Sequence, residues 1–120
     1  MTDGMKERAQ ELGRLLGQSD EYKALGRARQ RLTDDQDAVG AMTRLDKLER
    51  EISTALHSGQ EPEESAKQEY ETVFGTLQSS TSYQGLVAAQ SNFDKLLQRV
   101  NEEISRGMEM GAQSRIILPS

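Results

Sequence analysis

A single histidine, His57, and no cysteine are all that these 120 residues offer to imidazole or thiolate chemistry. Ser/His/Asp and Cys/His nucleophiles both pass a proton through an imidazole. Either would have to be built on His57, and nothing near it in sequence marks such a role. His57 falls near the expected end of a helix, where the dipole favours a cation, and a surface role there accounts for it. No Glu-x-x-His pair suggests a di-metal bundle site. Without thiols the chain is expected to carry no disulfide, no zinc–thiolate site and no iron–sulfur cluster. Asp34, Asp35 and Asp37 around Gln36 imitate a metal cluster, but they lack the spaced ligands and central glycine of a calcium loop, and helix capping explains them. Glu61, Glu63 and Glu64 beside Pro62 read the same way, and Glu102 and Glu103 form a solvated helix face. Gly13 and Gly17 follow no strand and cannot open a phosphate cradle. The sequence therefore predicts no catalytic, cofactor-binding or metal-ligating residue, and the chain is expected not to be an enzyme.

One charged pattern remains. Lys23, Arg27 and Arg31 recur every four residues and would line one side of a helix, away from its apolar face. They form either a solvated face that complements the acidic remainder of the chain or a docking strip for an acidic partner or RNA. No aromatic residue is interleaved with them, as stacking on single-stranded RNA would require. Residues 1–32 carry seven Lys/Arg against five Asp/Glu, and residues 33–120 carry eight against fifteen. The resulting net charge of −5 speaks against a surface built to coat phosphate backbones.

The elements that hold these residues read as helices throughout. Met5, Ala9, Leu12 and Leu16 recur at three- and four-residue steps on a first helix that Gly17 is placed to end in a left-handed turn. Ser19 caps a second helix, with Asp20 and Glu21 in its first turn and Tyr22, Leu25, Ala28 and Leu32 along its apolar face. Thr33 and Gln36 form a capping-box pattern opening a third helix from Asp34 to Ser58, about 35 Å long. Its stripe is Val39, Met42, Leu45, Leu48, Ile52 and Leu56, and Gly59 closes it. Pro62 suits the first position of a fourth helix, on which Ala66, Tyr70, Val73, Phe74 and Leu77 share a side. A hydroxyl of Ser79-Ser80-Thr81-Ser82 caps a fifth, whose repeat runs from Tyr83 through Phe93, Leu97, Val100 and Ile104 to about Met108. Interior glycines at 13, 26, 40, 75 and 85 mark either close helix approach or exposed, locally weak sites.

The fold class is thus all-α: an antiparallel bundle of about five helices, two of them long. Residues 1–108 form one domain, and residues 109–120 a tail, either flexible or docked on a partner. Only 34% of residues are hydrophobic, too few for a large core. A compact chain of this length would be about 28–30 Å across, no longer than the third and fifth helices. Such helices are expected to pair lengthwise, within the chain and with a second chain. Phe93, Leu97, Val100 and Ile104 are the candidate interface, and a dimer is the expected state. The N-terminus lacks the apolar stretch of a signal peptide and no apolar run reaches membrane-span length, so a soluble cytoplasmic protein is expected.

Two stretches carry a family resemblance. Glu11-Leu12-Gly13 followed by Gln18-Ser19-Asp20-Glu21-Tyr22-Lys23 resembles the opening of YlbF/YmcA-like regulatory proteins. Ala89-Gln90-Ser91-Asn92-Phe93 and Leu96-Leu97-Gln98-Arg99-Val100-Asn101 are similar to the same family, with helices in the same order from about Met5 to Gly107. The resemblance implies an all-helical bacterial regulator that self-associates or pairs with relatives. It implies a role in competence, sporulation or biofilm control, through a complex that influences RNA processing by the endoribonuclease RNase Y. Some members hold an iron–sulfur cluster on C-terminal cysteines, which this chain lacks, and Ser80-Thr81-Ser82 stands where relatives often have Asn-Pro. The leading expectation is a regulatory adaptor acting through protein–protein contacts. The alternatives are an RNA-binding module using Lys23, Arg27 and Arg31, and a holdase-like helical chaperone.

Overall fold

The computed structural model describes the backbone of residues 1–117 and the side chains of residues 1–113. Five helices follow one another: α1 (Asp3–Gly17), α2 (Asp20–Asp34), α3 (Gln36–His57), α4 (Glu64–Gln78) and α5 (Thr81–Ile117). No strand occurs among the described residues. The molecule is a rod of 71 × 37 × 22 Å with a radius of gyration of 22.1 Å, well beyond the ~14 Å of a compact chain this long.

The rod is two helices thick. The chain runs out along α2 and α3, turns through residues 58–63, and returns along α4 and α5, so that α3 packs on α4 and α2 on α5. Tyr22 at the start of α2 lies against Phe93 of α5, ring centroids 5.5 Å apart, which fixes the antiparallel register. The two long helices therefore do not pair with each other. Each lies against a shorter helix, and α5 outruns α2.

Two small apolar clusters hold the pairs. One gathers Leu32, Ala38, Leu45 and Leu77, with Tyr70, Val73 and Tyr83 packed against it. The other gathers Leu25, Ala28 and Ala89, with Phe93 packed against it. Leu86 borders both. Leu25, Ala28 and Leu32 on α2, Leu45 and Leu48 on α3 and Leu77 on α4 are buried at their expected stripe positions, whereas Val39, Met42, Leu56 and Phe74 of those stripes are exposed and Ala38 and Ala41 pack inward on α3 instead.

Caps follow local chemistry. Ser19 accepts from the Tyr22 amide at 3.1 Å, as its position before Asp20 and Glu21 implies. Gly59 has φ +74°, the left-handed conformation that glycine adopts freely, and it closes α3 as expected.

Several expectations need correction. Gly17 is not left-handed: it stays in the last turn of α1, and Gln18 is the cap. Thr33 does not open α3; α2 continues to Asp34, the Thr33 hydroxyl donates back to the Arg29 carbonyl, and Asp35 is the cap of α3. A carboxylate one residue from the new helix outcompetes a hydroxyl three residues away. Pro62 precedes the α4 cap, Glu63, instead of occupying the first helical position. Of the two readings of Gly13, Gly26, Gly40, Gly75 and Gly85, the open one holds: each has open space where a Cβ would stand, so none marks a close approach within the chain. Finally, α5 does not fade near Met108 but runs on to Ile117. Of the expected tail, residues 109–117 thus continue the helix backbone, and Leu118–Ser120 lie outside the described residues.

Candidate interaction surfaces

The strongest polar feature sits where both rods break. Between α2 and α3 only Asp35 interrupts the helix, and between α4 and α5 only Ser79 and Ser80 do, and the two breaks face each other. One Asp35 carboxylate oxygen accepts the Ala38 amide at 3.1 Å and caps α3. The other accepts the Ser82 hydroxyl at 2.6 Å and the Ser80 hydroxyl at 3.4 Å. Ser80 in turn accepts the Tyr83 amide at 3.4 Å and caps α5. One carboxylate thus caps one helix and ties down the start of another. The Ser82 hydrogen bond, with help from the Ala38 amide, holds the Asp35 carboxyl below its ordinary range. The sequence offers a hydroxyl within Ser79–Ser82 as the α5 cap but points to Thr33 instead of Asp35 for α3, and nothing local pairs residue 35 with residue 82.

A second polar contact ties α3 to α4. Arg44 meets Glu69 through two parallel hydrogen bonds, Nε to Oε1 at 2.6 Å and Nη2 to Oε2 at 2.7 Å. The pair raises the Arg44 pKa and lowers that of Glu69. The Tyr70 hydroxyl donates to Glu49 at 3.0 Å, which pushes the phenol pKa up. These groups tie the hairpin, and no buried side-chain nitrogen or oxygen among the described residues lacks a hydrogen-bond partner.

His57 lies exposed at the end of α3, with Nδ1 2.8 Å from the Ser53 carbonyl, a helix-terminal position. Asp34 accepts from Gln30 on the α2 surface. Among the described residues no three His, Asp or Glu side chains converge as metal ligands would.

Lys23, Arg27 and Arg31 are all exposed on α2, and none takes part in an ion pair among the described residues. By contrast Arg44 and Arg50, on α3, are both paired. Residues 35–80 carry four Lys/Arg against ten Asp/Glu, and the rest of the chain eleven against ten, so the excess negative charge lies in the α3–α4 half.

The candidate stripe on α5 divides. Phe93 is half-buried within its own chain, against Tyr22 and the Leu25 cluster. Leu97 and Val100 are half-buried, and Ile104 is exposed. Beyond the start of α2, every α5 residue from Asn101 to Gln113 is exposed. α1, whose main contact is with α2, likewise buries no residue. A separate open groove of about 700 Å³ runs beside α5 over Tyr83, Leu86 and Val87, with Arg29, Asp94 and Lys95 at its rim. No described helix is long and apolar enough to cross a membrane.

The exposed surface of this rod is thus that of a helical protein with two uncovered arms. A protein-family model described as control of competence regulator ComK, YlbF/YmcA, matches residues 5–109. Neither the curated proteins nor the solved structures contain a match.

Proposed function

The chain belongs to the YlbF/YmcA family of regulators in competence control, and from that premise we propose that it is a non-enzymatic regulatory adaptor of the bacterial cytoplasm, acting by contact with other protein chains. The partners proposed are a second copy of itself or related helical family members, and with them a complex that modulates RNA processing by RNase Y. The observation that carries this reading is the apolar helix left uncovered: α1 has no fully buried residue and leaves Met5 and Leu15 exposed, and α5 continues past its partner with Ile104, Met108 and Met110 exposed. Surface of that kind on a polar chain marks association. Lys23, Arg27 and Arg31 are proposed as the docking strip for an acidic partner, since they are exposed and take part in no ion pair among the described residues. The iron–sulfur chemistry of some relatives has no donor set in a chain without cysteine.

The test is reconstitution. Purified chain is mixed with RNase Y and with family partners from the same host, and complex formation and transcript cleavage are measured with and without it. A complex whose cleavage pattern changes supports the adaptor; neither binding nor altered cleavage sinks it. The same basic strip favours a second reading, direct RNA binding. A shift of RNA at near-physiological salt, lost in a Lys23→Ala/Arg27→Ala/Arg31→Ala variant, would decide for that reading.

A further inference from the structure

We infer that α1 and the distal part of α5, residues 97–113, form one self-complementary face that pairs two copies of this chain end to end. This rests on the self-association proposed above and names where it occurs. Helices of about fifteen residues are marginal in water when no tertiary packing covers an apolar side. α1 is 15 residues long with nothing buried, and α5 carries thirteen consecutive exposed residues from Asn101 to Gln113. Both nonetheless keep an apolar side: Met5 and Leu15 exposed beside half-buried Leu12 and Leu16 on α1, and Ile104 and Met108 exposed beyond half-buried Leu97 and Val100 on α5. Exposure reaches 60% at Met5, 46% at Ile104 and 64% at Met108.

The occupant follows from three features. First, both arms leave the same end of the rod, because Tyr22 at the start of α2 stands level with Phe93. A two-fold copy meeting this end offers its own α1 and α5 to the two arms at once, which is the isologous arrangement of most homodimers. Second, the uncovered side of α5 continues the side already packed on α2. Phe93, Leu97, Val100 and Ile104 keep alternating four- and three-residue steps, the spacing of a helix–helix seam, and Met108 extends that side by one further turn. Third, charge permits a second copy here and opposes it elsewhere. α1 carries three Lys/Arg against three Asp/Glu, and residues 97–113 carry two against three. Residues 35–80 are net −6, and an end-to-end pair sets these two acidic halves at opposite extremes. Phe93, being packed inside its own chain, is not part of the face.

Sedimentation equilibrium on the full chain is the test, with Met5→Asp, Ile104→Asp and a control, Val87→Asp, on the exposed groove side of α5. The wild type is expected at twice the 13.4 kDa chain mass at micromolar concentration. Met5→Asp and Ile104→Asp are each expected to weaken the pair at least tenfold, and Val87→Asp to leave it unchanged. Amide hydrogen exchange read alongside should show residues 3–17 and 101–113 losing protection in the dissociated variants while residues 36–78 keep theirs. A dimer that withstands both arm substitutions, or that only Val87→Asp dissociates, places the second copy elsewhere and overturns this inference while self-association stands. A wild-type monomer at high concentration overturns both. Undiminished protection of the arms in a dissociated variant overturns the inference as well, since the arms would then need no cover.

Discussion

The middle of the rod and its free end are made of the same kind of helix, yet they have opposite fates. In the middle, Leu25 and Ala28 meet Ala89, and Leu45 meets Leu77, across antiparallel helices. At the end, Met5, Leu15, Ile104 and Met108 sit on stripes of similar spacing and meet solvent. The composition of a stripe says which side of a helix is apolar; what faces it decides whether that side becomes core or contact surface.

The largest expected effect tests this division directly. Leu25 and Leu48 are the two large side chains most fully buried. Leu25→Ala or Leu48→Ala should each cost about 2–5 kcal/mol in urea unfolding, the range for truncating a buried leucine. Met108→Ala, on the exposed arm, should change the monomer by less than about 0.5 kcal/mol. Comparable losses at Leu48 and Met108 would mean the arm is core in solution and the division does not hold.

The same division marks how far sequence carried the reading. Helix number, helix order and the caps at Ser19, Ser80 and Gly59 are local, and three- to four-residue patterns reveal them. Phe93 shares a stripe with Leu97, Val100 and Ile104, and the stripe does not reveal that the start of α2 stands opposite Phe93 and leaves the later positions beyond it. That boundary depends on the register of residue 22 against residue 93, a long-range fact. Thr33 misled for a related reason. It has a capping residue's chemistry, but Asp35 caps better because Ser82 and Ser80, some 45 positions on, hold its carboxylate in place. The interior glycines leave two readings open in the sequence, since spacing alone cannot distinguish a close approach from open space, and the structure settles on open space.

A smaller effect lies in acid. The Asp35 carboxyl is lowered by Ser82, and the Glu69 carboxyl by Arg44. A carboxyl with a folded pKa below its unfolded value stabilises the fold at pH above the unfolded value, about 4, and that contribution is lost as pH falls through the folded pKa. The middle should therefore lose Tm steadily below about pH 4, and Asp35→Asn and Glu69→Gln should each flatten that slope. The Arg44–Glu69 pair is partly exposed, so its share is the weaker and should shrink in salt. A slope unchanged in both variants would move the acid sensitivity out of the crossing and the hairpin.

The smallest effect asks whether the arm and the middle unfold as one unit. Gly40 in α3 and Gly107 in distal α5 both have open space for a Cβ and neither has a positive φ. Alanine should raise local helix stability at either site by about 0.5–1 kcal/mol. At Gly40 that gain belongs to a helix packed on α4, so the whole unfolding transition should move up by that amount. At Gly107 the gain falls on a stretch whose packing ended before Asn101, and such segments open below the global free energy. In an Ile104→Asp background, where no second copy covers the arm, Gly107→Ala should therefore raise helicity at 222 nm at low temperature and leave the unfolding midpoint where it was. If Gly107→Ala raises the midpoint as far as Gly40→Ala does, α5 transmits stability along its whole length. The free end would then be an extension of the middle rather than an arm awaiting a partner.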